Sequence, residues 1–474
     1  MSIALLSKSS YELQAAFNPI PVYLKRRDIA YTGTANYSGT VSFTVGVNLG
    51  LTIGSMIYIE TLSGQSWTGW HEVSGMTSTE VKTTTAYVLG VSTGHLSSDE
   101  IYENYHVLIQ IKDNRTDDDI VELKYSVDST MEVYVNLSGI VRVLLGKDND
   151  YGYHAAAVSC NVAEFDLNLM CEFSFRFKEG YLDDDESPAP EWSSNYTGFA
   201  VNAAMQLGEN PNMEDWHAGK IGAGMFLTEF ETITVFKGYP NSVTFIWLEG
   251  TPSSADYTLQ RCQTFVAGGV SRETVEDLTP DYPDLPDNAV RVTIDDQSAN
   301  ERSGAIHIRS TDDESSPIYS TVINSLPLIY DDGICYDNPI YLCWLNTYGG
   351  FSYWLFHTTQ EIKHEVFDQK EILHAVEDWA SARTQEDVFE INARDKLVLG
   401  AQNITSDQLE GIKNMLHSPR VMLLLNAATF AEGDIPDWLT VSIQSGTFSF
   451  GSTGDSRHKV EFTIRKPRIN IQQL

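Results

Sequence analysis

The sequence predicts a mainly β protein: several antiparallel β-sandwich or barrel domains, the C-terminal one with a single embedded α-helix. Three observations predict it. Apolar residues recur at every second position through most of the chain, the period of a half-buried strand. Short clusters of Gly, Ser, Thr and Asn separate these runs, as turns between strands require. Only one stretch repeats at helical spacing with both a start and a stop signal.

The elements follow in chain order. Val41, Phe43, Val45 and Val47 alternate with Ser, Thr and Gly, and Val107, Ile109, Ile111 and then Val133, Val135, Leu137 do the same. Residues 1–150 are therefore an N-terminal β-sandwich or barrel. Residues 138–145 close it, and 147–152 form a linker. A second, acidic β-rich domain, 151–333, opens with a long alternating run at 158–177, and further strands are expected at 243–248, 289–294 and 305–308. Two segments of repelling charge and proline, 183–191 and 279–287, read as exposed loops because proline denies them helix and ladder bonds.

The last domain, 334–474, holds the helix. Thr405 and Gln408 have the spacing of a capping box, Leu409, Ile412, Met415 and Leu416 follow at helical spacing, and Ser418-Pro419 stops the run. The predicted helix is 405–417. Ahead of it, residues 342–345 and 351–356 are aromatic-rich strands joined by an Asn/Gly turn at 346–350, a hairpin whose apolar surface demands a core or an interface.

Charge narrows the partners. The net charge is −34, which repels nucleic acid and anionic membranes. Between Lys178 and Gly333 stand 8 Lys+Arg and 27 Asp+Glu, a difference of −19. The C-terminal strand reverses this: Arg457, Lys459, Arg465, Lys466 and Arg468 face only Glu461. A basic strand beside an acidic body permits head-to-tail pairing of identical chains. No apolar run is long enough to span a membrane, and no signal peptide is read at the amino terminus. Cys160, Cys171, Cys262, Cys335 and Cys343 show no zinc spacing and fit a reducing cytoplasm.

Catalytic material is thin. His364-Glu365 begins like a zinc-protease helix, but Asp368 stands where the second histidine belongs, with His374 and Glu377 further on. The segment 148–152 resembles the start of a calcium loop with its glycine one position early, and the acidic runs 117–119 and 183–186 make calcium the one candidate ion. No cofactor is expected. The glycine-rich stretch 219–224 lacks the Lys-Ser/Thr of a phosphate loop. Trp67 and Trp70, flanked by Gly64 and Gly69, are core residues or, less simply, sugar-stacking rings.

The segment 345–354, Leu-Asn-Thr-Tyr-Gly-Gly-Phe-Ser-Tyr-Trp, together with Trp344 before it, resembles a Trp-Leu-Asn-x-x-Gly-Gly-aromatic segment of β-rich virion proteins from tailed phages that infect Bacteroidetes. Asn18-Pro19-Ile20 and Ser418-Pro419-Arg420-Val421 resemble elements of the same proteins. The resemblance covers three short patches and leaves 178–333 untouched. It implies a non-enzymatic tail-tip or baseplate component in the virion, assembled in the host cytoplasm with copies of itself and other virion proteins. Trp344, Asn346, Gly349, Gly350, Phe351, Trp354 and the basic strand residues are then the expected contact surface. A capsid decoration or head fibre protein, a carbohydrate-binding adhesin that takes a host-surface glycan, and a β-fold glycoside hydrolase are the alternatives.

Overall fold

The computed structural model describes residues 3–8, 13–26, 29–45, 53–77, 79–97, 106–114, 118–130, 132–145, 163–165, 169–180, 192–205, 226–247, 257–267, 270–277, 288–294, 301–310, 322–331, 336, 339–373, 386–426, 436–453 and 457–469. The described residues are mostly strand, as the alternation predicts. Contacts divide the chain into two compact units, Met1–Leu144 with Cys171–Ala200, and Leu145–Met170 with Val201–Leu474.

The first unit contains a closed six-stranded barrel. Its strands run Ile29–Tyr37, Thr40–Val45, Glu80–Ala86, Gly69–Met76, Met56–Gly64 and Ser92–Ser97, the last pairing back onto the first. Closure leaves no free edge. The alternation of Val41, Phe43 and Val45 puts all three inside, with Tyr31, Ile57, Ile59, Trp67, Val73, Val81 and Leu96. Phe43 meets Tyr31 and Trp67 edge to face, with ring centroids 5.0 and 6.4 Å apart. Trp67 is thus a core residue. Trp70 is half-buried, and its indole N–H donates to the Ser129 carbonyl at 2.6 Å.

Beside the barrel, Ile3–Lys8, Pro21–Arg26 and Glu132–Asn136 form a three-stranded sheet. A five-stranded sheet runs Asp118–Ser126, His106–Asp113, Met170–Gly180, Tyr196–Val201, Leu13–Ala15. In it the long alternating run after residue 158 returns to the N-terminal segment: Ile109 lies opposite Phe177 and Ile111 opposite Phe175. The segment 138–145 is a helix, Ser138–Leu145, with Val141, Leu144 and Leu145 buried. The Asn136 carboxamide oxygen accepts from the Ile20 and Ser138 amides at 3.0 and 3.1 Å and ties the helix start to the sheet.

Among the described residues the second unit holds three sheets. Ala163–Phe165, Asn288–Ile294 and Asn241–Trp247 make one, and Ile233–Phe236, Val322–Asp331, Glu301–Ser310, Tyr257–Ala267 and Val270–Asp277 another, whose first pair is parallel. The third runs Phe351–Phe356, Ile340–Leu345, Val421–Leu424, Trp438–Ile443, Arg457–Ile469, Glu386–Ile404, Thr358–Leu373, with Ser449–Thr453 also on Arg457–Ile469. The predicted helix is present as Ser406–Asn414, continued by a 3-10 turn Met415–His417. Its capping box is complete: Thr405 Oγ1 accepts from the Gln408 amide at 3.2 Å, and Gln408 Oε1 accepts from the Thr405 amide at 2.9 Å.

The segment around His364 is strand, not the helix that a zinc-protease pattern needs. Glu361 to Phe367 pair residue for residue with Val398 to Asn392, and His364 Nδ1 lies 2.6 Å from Asp395 Oδ1. Cys171 and Cys343 are buried free thiols. The loops 183–191 and 279–287, the segments 148–152 and 219–224, Asp117, His374 and Glu377 lie outside the described residues.

Candidate functional site

The aromatic hairpin forms as its residues dictate. Ile340–Leu345 and Phe351–Phe356 pair from Ile340 opposite Phe356 to Leu345 opposite Phe351. Asn346 builds the turn, since its Oδ1 accepts from the Tyr348 and Gly350 amides at 3.1 and 2.9 Å and its Nδ2 donates to the Leu227 carbonyl at 2.8 Å. Gly349 has φ +90°, and an added Cβ would lie 2.9 Å from the Asn202 carbonyl oxygen; at Gly350 it would collide with the Leu227 carbonyl.

This hairpin is interior. Trp344, Asn346, Phe351 and Trp354 are all buried. Trp354 stacks on Phe230 at 5.9 Å and meets Phe236 edge-on at 5.3 Å, and Trp344 meets Phe230 at 6.3 Å. The expectation that Trp344, Asn346, Gly349, Gly350, Phe351 and Trp354 contact a second chain is therefore corrected: residues 201–202 and 226–236 of the same unit already cover them. Of the two roles open to so much apolar surface, core is the one seen.

Glu229 completes the enclosure. Its Oε1 accepts from the Thr347 amide at 2.9 Å and the Thr347 hydroxyl at 3.0 Å. Burial pushes its carboxyl up to about 7, against the pull of the Thr347 donors and the neighbouring Ser352 and Asn414 side chains. Nothing in the sequence marks this acid among sixty-five.

The basic residues have a different surrounding. Thr358–Leu373, 16 residues long, is an edge strand whose one sheet partner among the described residues is Glu386–Ile404. Residues directly opposite in a ladder share a face. Lys363 is opposite Lys396, Glu365 opposite Arg394, Lys396 opposite Arg465, and Arg394 opposite Arg468. Two steps on one strand thus match three on the other. The extra residue lies at Lys466-Pro467, where proline has no N–H to give the ladder, so a bulge returns Arg468 to the face of Arg465.

One face of this arm therefore carries Lys363, Arg394, Lys396, Arg465 and Arg468 against Glu361 and Glu365: five cations less two carboxylates, a local charge of +3. Glu365 binds Lys396 at 2.6 Å and Arg394 at 3.0 Å, and the Lys396 donor above all holds its carboxyl below the usual range. Lys363 pairs with Glu361 at 2.9 Å. The Phe367 ring lies under two guanidinium groups, Arg394 at 4.1 Å and Arg468 at 5.3 Å. Arg465 Nε is buried without an acceptor. The opposite face exposes Ile362 and Val366.

Of the five basic positions read from the C-terminal strand, Arg465 and Arg468 join this face. Lys466 sits in the bulge, Lys459 pairs with Glu461 at 3.3 Å, and Arg457 reaches the Asn403 carbonyl at 3.4 Å. Lys363, Arg394 and Lys396 were missed. The alternation Arg394-Asp395-Lys396 was the available signal, but it gains meaning only through the cross-strand register. Planar, forked Arg donors on such a face suit carboxylates.

No group of His, Cys, Asp and Glu able to hold a metal occurs among the described residues, and no helix among them is long and apolar enough to cross a membrane. No family model and no curated protein matches the sequence. Among solved structures, a marsupial T cell receptor is similar at 6% identity over 99% of this chain and 93% of that one, with a TM-score of 0.17, a likeness too low to carry an argument. The class that fold and surface define is a multi-sheet β protein with a cationic hairpin arm.

Proposed function

We propose that this chain is a non-enzymatic structural subunit that assembles with copies of itself, and that its setting is the tail tip or baseplate of a phage particle. The observation that carries the self-assembly reading is the +3 face of the arm in a chain of net charge −34. Such a face repels cations and attracts the acidic surface that every other copy supplies. The phage setting rests on the resemblance of three short patches, residues 18–20, 344–354 and 418–421. Assembly with other virion proteins, as a decoration or fibre of the head instead of the tail, is the near variant of the same reading.

Sedimentation at low salt tests it. The full chain should form defined oligomers that weaken as salt rises, and Arg394→Glu with Lys396→Glu should abolish them. A chain that stays monomeric at high concentration and low salt, and is absent from purified particles, refutes the reading. A second reading has one observation in its favour. Tyr23 and Tyr134 are exposed, directly opposite each other, with ring centroids 5.1 Å apart. Such a pair offers a sugar-stacking platform for a host-surface glycan. Glycan binding lost in Tyr134→Ala favours it.

A further inference from the structure

The barrel differs from the rest of the chain in charge. Between residues 29 and 97 the only Asp, Glu, Lys or Arg residues are Glu60, Glu72, Glu80 and Lys82, in a protein of net charge −34. Two of these are locally engaged: Glu60 lies 3.4 Å from Lys25 Nζ, and Lys82 Nζ sits over the Tyr37 ring at 3.4 Å. At one end of the barrel, the end of Met56–Gly64 and the connection into Ser92–Ser97 carry no charge at all. There four aliphatic side chains stand in solvent: Leu89 is 90% exposed, Val91 68%, Leu62 57% and Val88 49%.

This rim is held in place. The Gly90 carbonyl accepts from Thr34 Oγ1 at 3.1 Å and from the Tyr87 hydroxyl at 3.3 Å, and the Tyr87 amide donates to the Gly39 carbonyl at 2.9 Å, so the loop is pinned before and after Leu89. Ser63 and Thr93 hydroxyls bond each other at 2.7 Å. Gly64, at φ +89°, packs so closely on the Val91 carbonyl that a Cβ there would collide with it. Aliphatic groups kept in water by a fixed backbone gain nothing for the fold, but they lower the ordering cost of a contact.

We propose that this rim, centred on Leu89 and Val91, docks against a second copy of this chain. The choice of occupant follows from charge. Copies of so acidic a chain repel one another over most of their surface, and an uncharged apolar rim is where two of them approach without that repulsion. The proposal rests on the self-assembly reading and adds to it a contact of opposite salt response. Screening at ~1 M salt, where the Debye length is ~3 Å, removes pairing by the arm but strengthens apolar contact through the rim.

The test is sedimentation of the full chain at ~1 M salt, comparing wild type with Leu89→Asn plus Val91→Thr, neutral changes at exposed positions that add no repulsion. Wild type should still associate, and the double variant should do so roughly tenfold more weakly or worse, the loss expected from one or two buried aliphatic side chains. Unchanged thermal unfolding of the variant at high dilution shows that the barrel is intact. Association equal to wild type overturns the proposal, as does a wild type that is monomeric at high salt. Binding of the rim to phosphatidylcholine vesicles without self-association assigns it another occupant and also overturns it. At low salt, where the arm is unscreened, assembly that survives Arg394→Glu with Lys396→Glu but not the rim change removes the arm reading and leaves this one standing.

Discussion

The hairpin of Ile340–Leu345 and Phe351–Phe356 buries nearly every side chain it carries, whereas the hairpin of Thr358–Leu373 and Glu386–Ile404 presents ions on one face and exposed aliphatics on the other. Phe351–Phe356 and Thr358–Leu373 are separated by His357 alone, yet they lie at opposite ends of one sheet. Both are edge strands, and a bare edge invites pairing with another chain. The first edge is covered by residues 226–247, for instance through the 2.6 Å bond between the Ser242 and Tyr353 hydroxyls. The second is charged and bulged. The same topological problem is met by burial at one end and by electrostatics at the other, and the second solution leaves its strand exposed.

If that contrast is real, truncation should hurt the two hairpins very differently. Trp354→Ala should cost about 3–5 kcal/mol in denaturant unfolding, because it empties a site packed by Phe230 and Phe236. A cost below ~1 kcal/mol would mean that the hairpin is not core.

Glu229 sharpens the comparison through pH. Its folded carboxyl is raised from 4.5 to about 7, so the folded state holds a proton that the unfolded state releases. The stability this proton supports is fully present below pH ~4.5 and is lost as pH rises through about 7, on the order of 3 kcal/mol. Glu229→Gln should flatten unfolding free energy against pH over that window. A slope identical to wild type would show that Glu229 is not the buried acid.

Gly350→Ala comes next, at roughly 2 kcal/mol, since the methyl must displace the Leu227 backbone. The smallest effect belongs to the arm. Arg394→Ala should leave monomer stability nearly unchanged, its pairing with Glu365 being solvent-screened, while salt-sensitive assembly weakens. A large loss of stability with assembly intact would reverse the roles assigned to the two hairpins.

What the sequence revealed divides along the same line. Strands with strict alternation, the turn at Asn346 and Gly349, and the helix capped by Thr405 and Gln408 were readable because each is set by residues a few positions apart. The helix Ser138–Leu145 was not, because Ile140, Val141, Val143, Leu144 and Leu145 pack too closely in sequence to show a helical stripe. The histidine-glutamate pair at 364–365 suggested a helix, but the exposed Ile362 and Val366 and the register with 393–397 belong to a strand. What covers the aromatic hairpin, and which cations share the face of the arm, depend on partners about thirty to over a hundred residues away. Local pattern contains no such information.

The return of Met170–Gly180 to the sheet of His106–Asp113 has a consequence for synthesis. When residue 144 has left the ribosome, Val107, Ile109 and Ile111 have Asp118–Ser126 on one side and an empty edge on the other. The strand that fills it is not complete until residue 180, and the first unit is not complete until Ala200. At ~5–20 residues per second the nascent chain carries an open apolar edge for several seconds, long enough for neighbouring chains on the same message to pair with it. The first half of the molecule therefore depends on a late segment to protect it, and a pause or truncation between residues 145 and 180 should yield aggregate where a stop after residue 200 yields a soluble unit.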